Sequence, residues 1–487
     1  MELKDKQQRS PRQARVDERV KPVARPKEKI QQQQSEEGEV AEESASIPTD
    51  LGNWIRNNAK ELKIRLTDRR LAAEVVNDFR ENLLKFLNNE HPVFKSAECL
   101  NAGSYFEKVK IHMPDEFDMM LTFPGSPNLR LNPTKLDGGL FYRLDLTRPT
   151  RQPIKAFLLE NNLTLSSSKV LNEMHRLVRK FLKTYKVPDE RFRWEVNRKR
   201  VHSPAVTLSL FKTDENSEEL ISVDVVPALE VITESIQSWP AAVRNGPDVS
   251  NWLGKKALQD IRGLPCYFVP KRQKGRKLSE DAKESWRISF SHIEKKIITS
   301  HGNKKTCCES HATKCCRKQC LMLLKSLIEG LKQRFPEELD DLCSYHGKTT
   351  FLHTLSTRYD DAKWNPRDLP VCFLYLVRAL EDYASRGNLP HFFVPECNLF
   401  SSSSFSRKAL AFLVNALKEQ RRDGLPLLKP PALVSPLMPR EDLDETCNET
   451  FEERSFILVH SVDAALMNKL GVAFAVVVGF AFYILFK

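Results

Sequence analysis

The chain has 487 residues and a formal net charge of +12 at pH 7, with 41% hydrophobic and 9% aromatic residues. That length exceeds what one hydrophobic core usually supports, so we expect two or three structural units, and the composition excludes a wholly disordered chain. The positive charge favours a polyanionic partner, either nucleic acid or an acidic membrane.

The first 50 residues are predicted to be disordered because they contain few aliphatic side chains and a glutamine run at 31–34. Residues 1–30 carry ten Lys and Arg against five acids, whereas residues 31–50 carry six acids and no base. A basic arm of this kind can add contacts to phosphates. A solvated tail without a role is the alternative, and no apolar leader for secretion is seen.

Residues 51–250 are predicted to form the first ordered lobe. Apolar residues from Leu62 to Leu87 recur at helical spacing, which predicts a long helix that ends at His91-Pro92, with a break at Thr67-Asp68 and Thr67 as the cap of its second half. One further helix is expected at 166–185. Alternating apolar residues predict strands at 109–113, 117–123, 141–146, 205–210 and 220–226.

Residues 251–424 are predicted to form a helical lobe, with helices near 251–262, 284–300, 316–333 and 405–421. Residues 425–465 are Pro-rich and then acidic, as in a linker. Within 466–487, the run 470–486 has seventeen residues and no charged side chain, which predicts a C-terminal transmembrane anchor. A short interfacial or core helix is the alternative.

Two acids stand close together in an otherwise apolar stretch that follows a Gly-Ser turn. Glu116 and Asp118 are two residues apart in a predicted strand, so their side chains project from the same face. Two neighbouring carboxylates repel each other, whereas divalent cations that share their ligands with substrate phosphates reverse that cost. Asp224, in the apolar strand "LISVDVVPALE", is the expected third acid of a two-metal site. The turn Gly103-Ser104 can hold a phosphate through its backbone N–H groups.

Cysteines are concentrated in one short, basic segment. Five of the eleven lie between Cys307 and Cys320, and His301 precedes them. Three thiolates and one imidazole suit a structural zinc ion, which would fold a loop too polar to fold alone. Composition does not choose among the ligands, because Cys316, Cys320 and His311 are also available. Reduced cysteines without metal are the remaining alternative.

Several stretches, among them "LNAGSYFEKVKI", "PDEFDMM", "ISVDV", "WRISFSHIEK", "HGNKKTCCE" and "KCCRK", closely resemble the vertebrate cyclic GMP-AMP synthase family of the nucleotidyltransferase superfamily. The resemblance covers roughly residues 55–422. It implies a mixed α/β (α+β) bilobal nucleotidyltransferase fold with a long N-terminal spine helix, a twisted mixed sheet, a helical C-terminal lobe and a zinc insertion at 301–320.

The resemblance also implies a role for each matching residue. The catalytic acids, which would bind two Mg²⁺ or Mn²⁺ ions, are Glu116, Asp118 and Asp224. The nucleotide-binding residues are Gly103, Ser104, Arg287, Ser289, Lys325, Ser344 and Tyr345. The ligands of one structural Zn²⁺ are His301, Cys307, Cys308 and Cys315. The DNA-binding residues are Lys63, Arg65, Arg198, Lys199, Arg200, Lys271, Lys295, Lys304, Lys305 and Lys318.

The activity that the resemblance implies is the synthesis of 2′–5′/3′–5′ cyclic GMP-AMP, an innate immune second messenger, from ATP and GTP. Double-stranded DNA would activate the enzyme by forming a homodimer in which two chains bind two DNA duplexes. The expected location is the cytosol, and residence in the nucleus is left open. Val226 departs from the family, since mammalian members have a hydroxyl residue there. Two alternatives are a double-stranded-RNA-activated oligoadenylate-type synthase and a non-catalytic, membrane-tethered DNA-binding protein.

Overall fold

The computed structural model describes residues 47–124, 129–136, 138–200, 202–213, 218–231, 249–273, 278–304 and 306–428. Nearly all of the predicted N-terminal tail, most of the linker and the predicted membrane anchor lie outside these ranges, as does Lys305. Within the described part of the chain, no helix is both long and apolar enough to cross a bilayer. The anchor at 466–487 therefore stays a prediction.

The N-terminal helical region consists of two helices, α1 (Thr49–Glu61) and α2 (Leu66–Glu90). The predicted break at Thr67 is wrong, because the chain leaves the helical path at 62–65 and Thr67 lies inside the first turn of α2. Leu62 and Ile64, which are 0% and 8% exposed, lie in this break. Their burial indicates that tertiary packing, and not helix capping, fixes the position of the break.

Nine strands in the described residues form one mixed sheet. They are β1 (Glu98–Ala102), β2 (Glu116–Phe123), β3 (Leu131–Lys135), β4 (Phe141–Leu146), β5 (Phe192–Val196), β6 (Val206–Lys212), β7 (Glu219–Val231), β8 (Cys266–Val269) and β9 (Trp286–Ser289). The order is β1-β2-β7-β8-β9-β4-β3, and the β5–β6 hairpin also pairs with β7. The β2–β7 pair is parallel, and the other pairs are antiparallel.

Four of the five predicted strands are present, and β6 and β7 are longer than predicted. The fifth, at 109–113, is wrong because these residues form an irregular segment. Val109 and Ile111 are buried in the core of the helical region, so a buried loop produced the alternating pattern. Buried side chains on a loop and on a strand cannot be told apart by periodicity alone.

The remaining longer helices are α3 (Ser167–Leu182), α4 (Ser250–Arg262), α5 (Ser291–Thr299), α6 (Arg317–Arg334), α7 (Ser344–Thr357), α8 (Leu369–Arg386) and α9 (Arg407–Arg422). The predicted helix at 284–300 is wrong in its first half, which is strand β9. Helix α7 was not predicted because it is buried on most of its faces and lacks a polar stripe.

The C-terminal part is built around one large apolar core that includes Trp252, Phe351 and Trp364. Leu425 and Leu428 are also fully buried in it, so the chain is still packed in the first four residues of the predicted linker. The indole of Trp54 in α1 donates a hydrogen bond to the carbonyl of Leu425 at 3.1 Å. The predicted fold class is confirmed: a mixed sheet is followed by a helical C-terminal part.

Candidate active site and metal centre

A cavity of about 370 Å³ lies between the sheet and the helical part. Its walls come from strands β2, β7 and β9 and from helices α5 and α7. Six of the predicted functional residues line it: Gly103, Asp118, Asp224, Arg287, Ser289 and Tyr345. The fold therefore gathers residues from distant parts of the sequence around one cavity of ligand size.

Asp118 and Asp224 are directly opposite each other in the parallel β2–β7 pair. Both side chains line the cavity, and the hydroxyl of Thr207 on β6 donates a hydrogen bond of 2.6 Å to Asp224 Oδ1. The residues on either side of Asp224, Val223 and Val225, are fully buried. Strand alternation therefore places both acids on the cavity face and the valines behind them.

The surroundings of Asp118 disfavour its charged form. Burial, followed by the nearby charges of Glu116 and Asp224, raises the pKa of Asp118 to about 6. A bound cation would neutralise the negative charges around Asp118 and would therefore stabilise its ionised form. Oxygen ligands of this type fit Mg²⁺ or Mn²⁺.

Glu116 does not converge with the other two acids. Its carboxylate is 60% exposed and accepts a hydrogen bond of 2.9 Å from Lys110 Nζ, which also contacts Asp115 at 3.0 Å. Burial acts to raise the pKa of Glu116, but the charge and hydrogen bond of Lys110 outweigh it, and the pKa is lowered. Lys110 is thus paired with the carboxylate that the sequence predicts to bind a metal ion.

The Gly-Ser turn forms a four-residue helical segment, Gly103–Phe106, directly after β1. Gly103 has a φ of +77°, and a Cβ there would lie 1.8 Å from Asp118 Oδ2. Only glycine meets both requirements, because other residues are strained at this φ and would also collide with the acid. The backbone of the turn therefore lies directly against Asp118.

The cavity is also lined by Arg287 and Ser289 from β9 and by Tyr345 from α7. Among the predicted nucleotide-binding residues, three do not line the cavity: Ser104, Ser344 and Lys325. Lys325 is 7% exposed and donates to the carbonyl of Val109 at 3.1 Å. Its burial lowers its pKa to about 8, and its charge contributes to lowering the pKa of Glu116.

A buried polar network beside Tyr345 was missed by sequence reasoning. The Tyr345 hydroxyl contacts Glu294 Oε1 at 3.0 Å and His391 Nε2 at 2.9 Å. The backbone N–H groups of Phe393 and Val394 donate to His391 Nδ1, so Nε2 carries the proton and donates to Tyr345. Burial lowers the pKa of His391 to about 4, which keeps the ring neutral.

Lys348 and Glu107 extend this network, and both line the cavity. Lys348 Nζ contacts Glu107 Oε1 at 2.8 Å and Glu294 Oε2 at 3.1 Å. The sequence could have indicated that Lys348 lies near Tyr345, because residues three positions apart share one face of a helix. Nothing in the sequence pairs Glu107 with either residue.

A second site brings together the four residues that the family resemblance assigns to zinc. One ligand atom each of His301, Cys307, Cys308 and Cys315 lies within 4.8 Å of all the others. Within the described ranges, no other group of three or more such residues meets this criterion. His301 Nε2 lies 3.5 Å from Cys308 Sγ and 3.2 Å from Cys315 Sγ. A tetrahedral zinc site has ligand–ligand separations of roughly 3.5–4 Å, so the donor set fits.

The surroundings of this cluster hold its ligands in position. His301 Nδ1 lies 2.8 Å from the carbonyl of Ile298, which leaves Nε2 free for a metal. Arg317, fully buried, contacts Cys307 Sγ at 3.6 Å and Asp361 at 2.8 Å. A Cβ at residue 302 would lie 2.3 Å from Cys307 Cβ, which explains the glycine there.

The alternative ligands lie elsewhere. Cys316 and Cys320 are fully buried in the helical core, and His311 is exposed on a short 3₁₀ segment. The side chains that composition could not separate are thus separated by burial. The geometry is that of a cluster that could hold a metal ion.

The predicted DNA-binding residues differ in exposure. Lys271, Lys295 and Lys318 are half-buried, and Lys295 donates to the carbonyl of Asn101 at 3.1 Å. Lys305 lies outside the described residues. The exposed members are Lys63, Arg65, Arg198, Lys199, Arg200 and Lys304. Exposed cations of this type are available for phosphate contacts.

Comparison with known proteins identifies two matching domains. Residues 105–300 match the Mab-21 protein nucleotidyltransferase domain, and residues 316–419 match the Mab-21 protein HhH/H2TH-like domain. The boundary between the two matches falls within the cysteine-rich segment.

Similar curated proteins include two mammalian enzymes. The cyclic GMP-AMP synthase of Mus musculus is 39% identical over 367 residues, which cover 75% of this chain and 68% of that protein. The cyclic GMP-AMP synthase of Sus scrofa is 37% identical over 380 residues, 77% of this chain and 72% of that protein. A cyclic GMP-AMP synthase-like receptor of Magallana gigas is 27% identical over 345 residues, 69% of this chain and 53% of that protein. The chain is thus a nucleotidyltransferase that belongs to the Mab-21 family, within its cyclic GMP-AMP synthase branch.

Proposed function

We propose that this nucleotidyltransferase joins ATP and GTP into 2′–5′/3′–5′ cyclic GMP-AMP when it binds double-stranded DNA, and that the product acts as an innate immune second messenger. The mammalian relatives carry the name of this activity. The observation that carries the proposal is the shared cavity, which Asp118, Asp224, Arg287 and Tyr345 all line.

The acids and the base-contacting residues of the cavity have separate tasks in the proposed reaction. Divalent ions held by Glu116, Asp118 and Asp224 would lower the pKa of the attacking ribose hydroxyl and stabilise the departing pyrophosphate. The Gly103–Phe106 turn presents backbone N–H groups to the phosphates. Tyr345 would stack on either base, which allows a linear intermediate to turn over in the cavity before it closes into a ring.

Nucleotide selectivity in this cavity depends on few polar groups. Arg287 is the base-contacting cation implied by the family resemblance, and Ser289 lies beside it. Val226 also lines the cavity, where a hydroxyl residue would offer a hydrogen bond. Because a site that lacks a hydrogen bond discriminates less strongly, we expect weaker selection between ATP and GTP than in a relative with the hydroxyl.

The surface charge and the cysteine–histidine cluster support the proposal that DNA activates the enzyme. Six of the predicted phosphate contacts are exposed cations, among them Lys63, Arg65 and Lys199. Binding would be independent of sequence and strongly dependent on salt, because phosphate contacts dominate it. A zinc ion at His301 and its three cysteines would order the basic loop, and we expect two chains to meet on two DNA duplexes. To activate the enzyme, DNA must bind its active conformation more tightly than its inactive conformation.

One assay tests the proposal. The full chain is incubated with ATP, GTP and Mg²⁺, with double-stranded DNA, double-stranded RNA or no nucleic acid, and the products are identified by mass spectrometry. Digestion with a 3′–5′-specific nuclease assigns the linkages. We expect cyclic GMP-AMP with a 2′–5′ and a 3′–5′ bond in the DNA reaction. Linear oligoadenylates produced with RNA would instead identify an oligoadenylate-type synthase.

The matched control is Glu116→Ala combined with Asp118→Ala. This variant should make no product, yet bind DNA with nearly unchanged affinity, because neither acid belongs to the basic surface. Cyclic dinucleotide made by the double variant would show that the metal assignment is wrong.

A further inference from the structure

Glu107 is a buried carboxylate that has an unfilled hydrogen-bond position. Its side chain is 0% exposed, and Oε1 accepts a hydrogen bond of 2.8 Å from Lys348. Oε2 has no hydrogen-bond partner in the described part of the chain. The residue lines the nucleotide cavity. Burial of a carboxylate is costly unless its interactions compensate, and an apolar side chain would avoid the cost.

Lys348 and Glu294 connect Glu107 to Tyr345. The ammonium of Lys348 also contacts Glu294 Oε2 at 3.1 Å, and Glu294 Oε1 accepts the hydroxyl proton of Tyr345 at 3.0 Å. Glu107, Lys348, Glu294 and Tyr345 thus form a continuous series of charged and polar contacts, which we call the buried ion chain. It joins residues that are 241 positions apart in the sequence.

At its other end, the buried ion chain reaches the acids. The backbone N–H of Glu107 donates to the carbonyl of Gly103 at 3.1 Å. Gly103 in turn lies so close to Asp118 that a Cβ would be 1.8 Å from its carboxylate. A displacement of Glu107 would therefore move the turn that touches Asp118.

We propose that Glu107 and Lys348 are positioning residues, and this proposal rests on the proposed function of the cavity. The buried ion chain links the nucleotide base that stacks on Tyr345 to the Gly103–Phe106 turn and Asp118. A nucleotide whose base stacks on Tyr345 stabilises the arrangement in which the acids bind the metal. The coupling between nucleotide and metal needs the carboxylates of both Glu107 and Glu294, because Lys348 bridges them and neutral partners would hold its ammonium less strongly.

The test uses two conservative variants in the full chain with DNA, ATP, GTP and Mg²⁺. Glu107→Gln keeps the shape but removes the charge, and Tyr345→Phe keeps the stacking ring but removes the hydroxyl. We expect Glu107→Gln to lower kcat roughly tenfold or more, while KM and the Kd of a non-hydrolysable ATP analogue change by less than about threefold. The double variant should lose no more activity than Glu107→Gln alone, because both changes interrupt the same network.

A matched control separates positioning from stability. Glu381 is 8% exposed and pairs with Arg421 at 2.7 Å, but neither residue lines the cavity. Glu381→Gln should lower the melting temperature and leave kcat unchanged. A Glu107→Gln enzyme with wild-type kcat would overturn the proposal, and so would losses that multiply in the double variant.

A second readout does not depend on turnover. Mn²⁺ and the ATP analogue should enhance each other's binding in the wild-type chain, and calorimetry measures this enhancement directly. Loss of the enhancement in Glu107→Gln supports the proposal, and an unchanged enhancement contradicts it. If the wild-type chain makes no cyclic dinucleotide, the proposed function fails, while this measurement still decides the role of Glu107.

Discussion

Asp118 and Asp224 lie opposite each other in the parallel pair of strands β2 and β7, although 105 residues separate them in the sequence. This pairing sets the spacing of two acids that line the cavity. It also explains why the pKa of Asp118 is raised, first by burial and then by the charges of Glu116 and Asp224. Several consequences of this relationship can be measured.

The raised pKa of Asp118 predicts a pH-dependent loss of stability in metal-free protein. The folded-state pKa is about 6 against an ordinary value of 3.8, so the folded protein binds a proton more tightly than the unfolded chain. Stability is therefore lost as the pH rises from about 4 to 6. Above pH 6, Asp118→Asn should be more stable than wild type by about 3 kcal/mol, and the difference should vanish near pH 4. Chemical denaturation at several pH values, with a chelator, measures it.

Bound metal should reverse the difference in stability between Asp118→Asn and the wild-type protein. With Mn²⁺ present at pH 7.5, wild-type protein should be stabilised and Asp118→Asn should not, because the substitution removes a ligand. The wild-type affinity for Mn²⁺ should weaken as the pH falls through about 6. A metal affinity that is constant between pH 5 and 8 would contradict the role of Asp118.

Two glycines with the same backbone angle give a matched test of the turn. Gly103 and Gly138 both have a φ of +77°, but a Cβ at Gly103 would meet Asp118, whereas a Cβ at Gly138 would meet nothing within 4 Å. Gly103→Ala and Gly138→Ala should each cost about 1 kcal/mol of stability from backbone strain. Only Gly103→Ala should also abolish nucleotidyl transfer. Equal activity in the two variants would show that the contact with Asp118 is unimportant.

Lys110 is paired with Glu116, so we predict that it competes with a metal ion for this carboxylate. Its ammonium lies 2.9 Å from the Glu116 carboxylate, and its side chain is 14% exposed. Lys110→Met should strengthen Mn²⁺ binding by about 1 kcal/mol, roughly fivefold, because it removes both the competing partner and a positive charge. Lys110→Arg keeps the charge and should bind Mn²⁺ like the wild type. Weaker binding in Lys110→Met would indicate that Lys110 supports the metal site.

Loss of one thiolate should empty the cysteine–histidine cluster. Cys315→Ser should reduce the zinc content from one ion per chain to almost none, lower the melting temperature and lower DNA-stimulated activity at least roughly tenfold. Metal content is measured by mass spectrometry of the purified protein. Cys99→Ser, which changes a half-buried thiol on β1 outside the cluster, should retain the zinc. Full stimulation of the zinc-free Cys315→Ser variant by DNA would show that activation does not need the zinc-bound loop.

The sequence by itself determined the local chemistry. The spacing of Glu116 and Asp118 places both on one face of a strand, because strand side chains alternate. The valines around Asp224 identified another buried strand with a single acid, and the density of cysteines after His301 indicated a metal centre. Each of these conclusions depends on neighbours within a few residues, which periodicity and composition describe well.

Only the tertiary structure decided which of these residues meet. It paired Asp118 with Asp224, turned Glu116 towards Lys110 and connected Glu107 to Lys348. It also gives the physical reason for Cys315, which the family resemblance had already named, over its neighbour Cys316, because Cys316 is buried in the helical core. These outcomes depend on contacts between distant segments and on which polar groups are removed from water. Neither the contacts nor the desolvation has a local signature in the sequence, because both arise when the whole core packs.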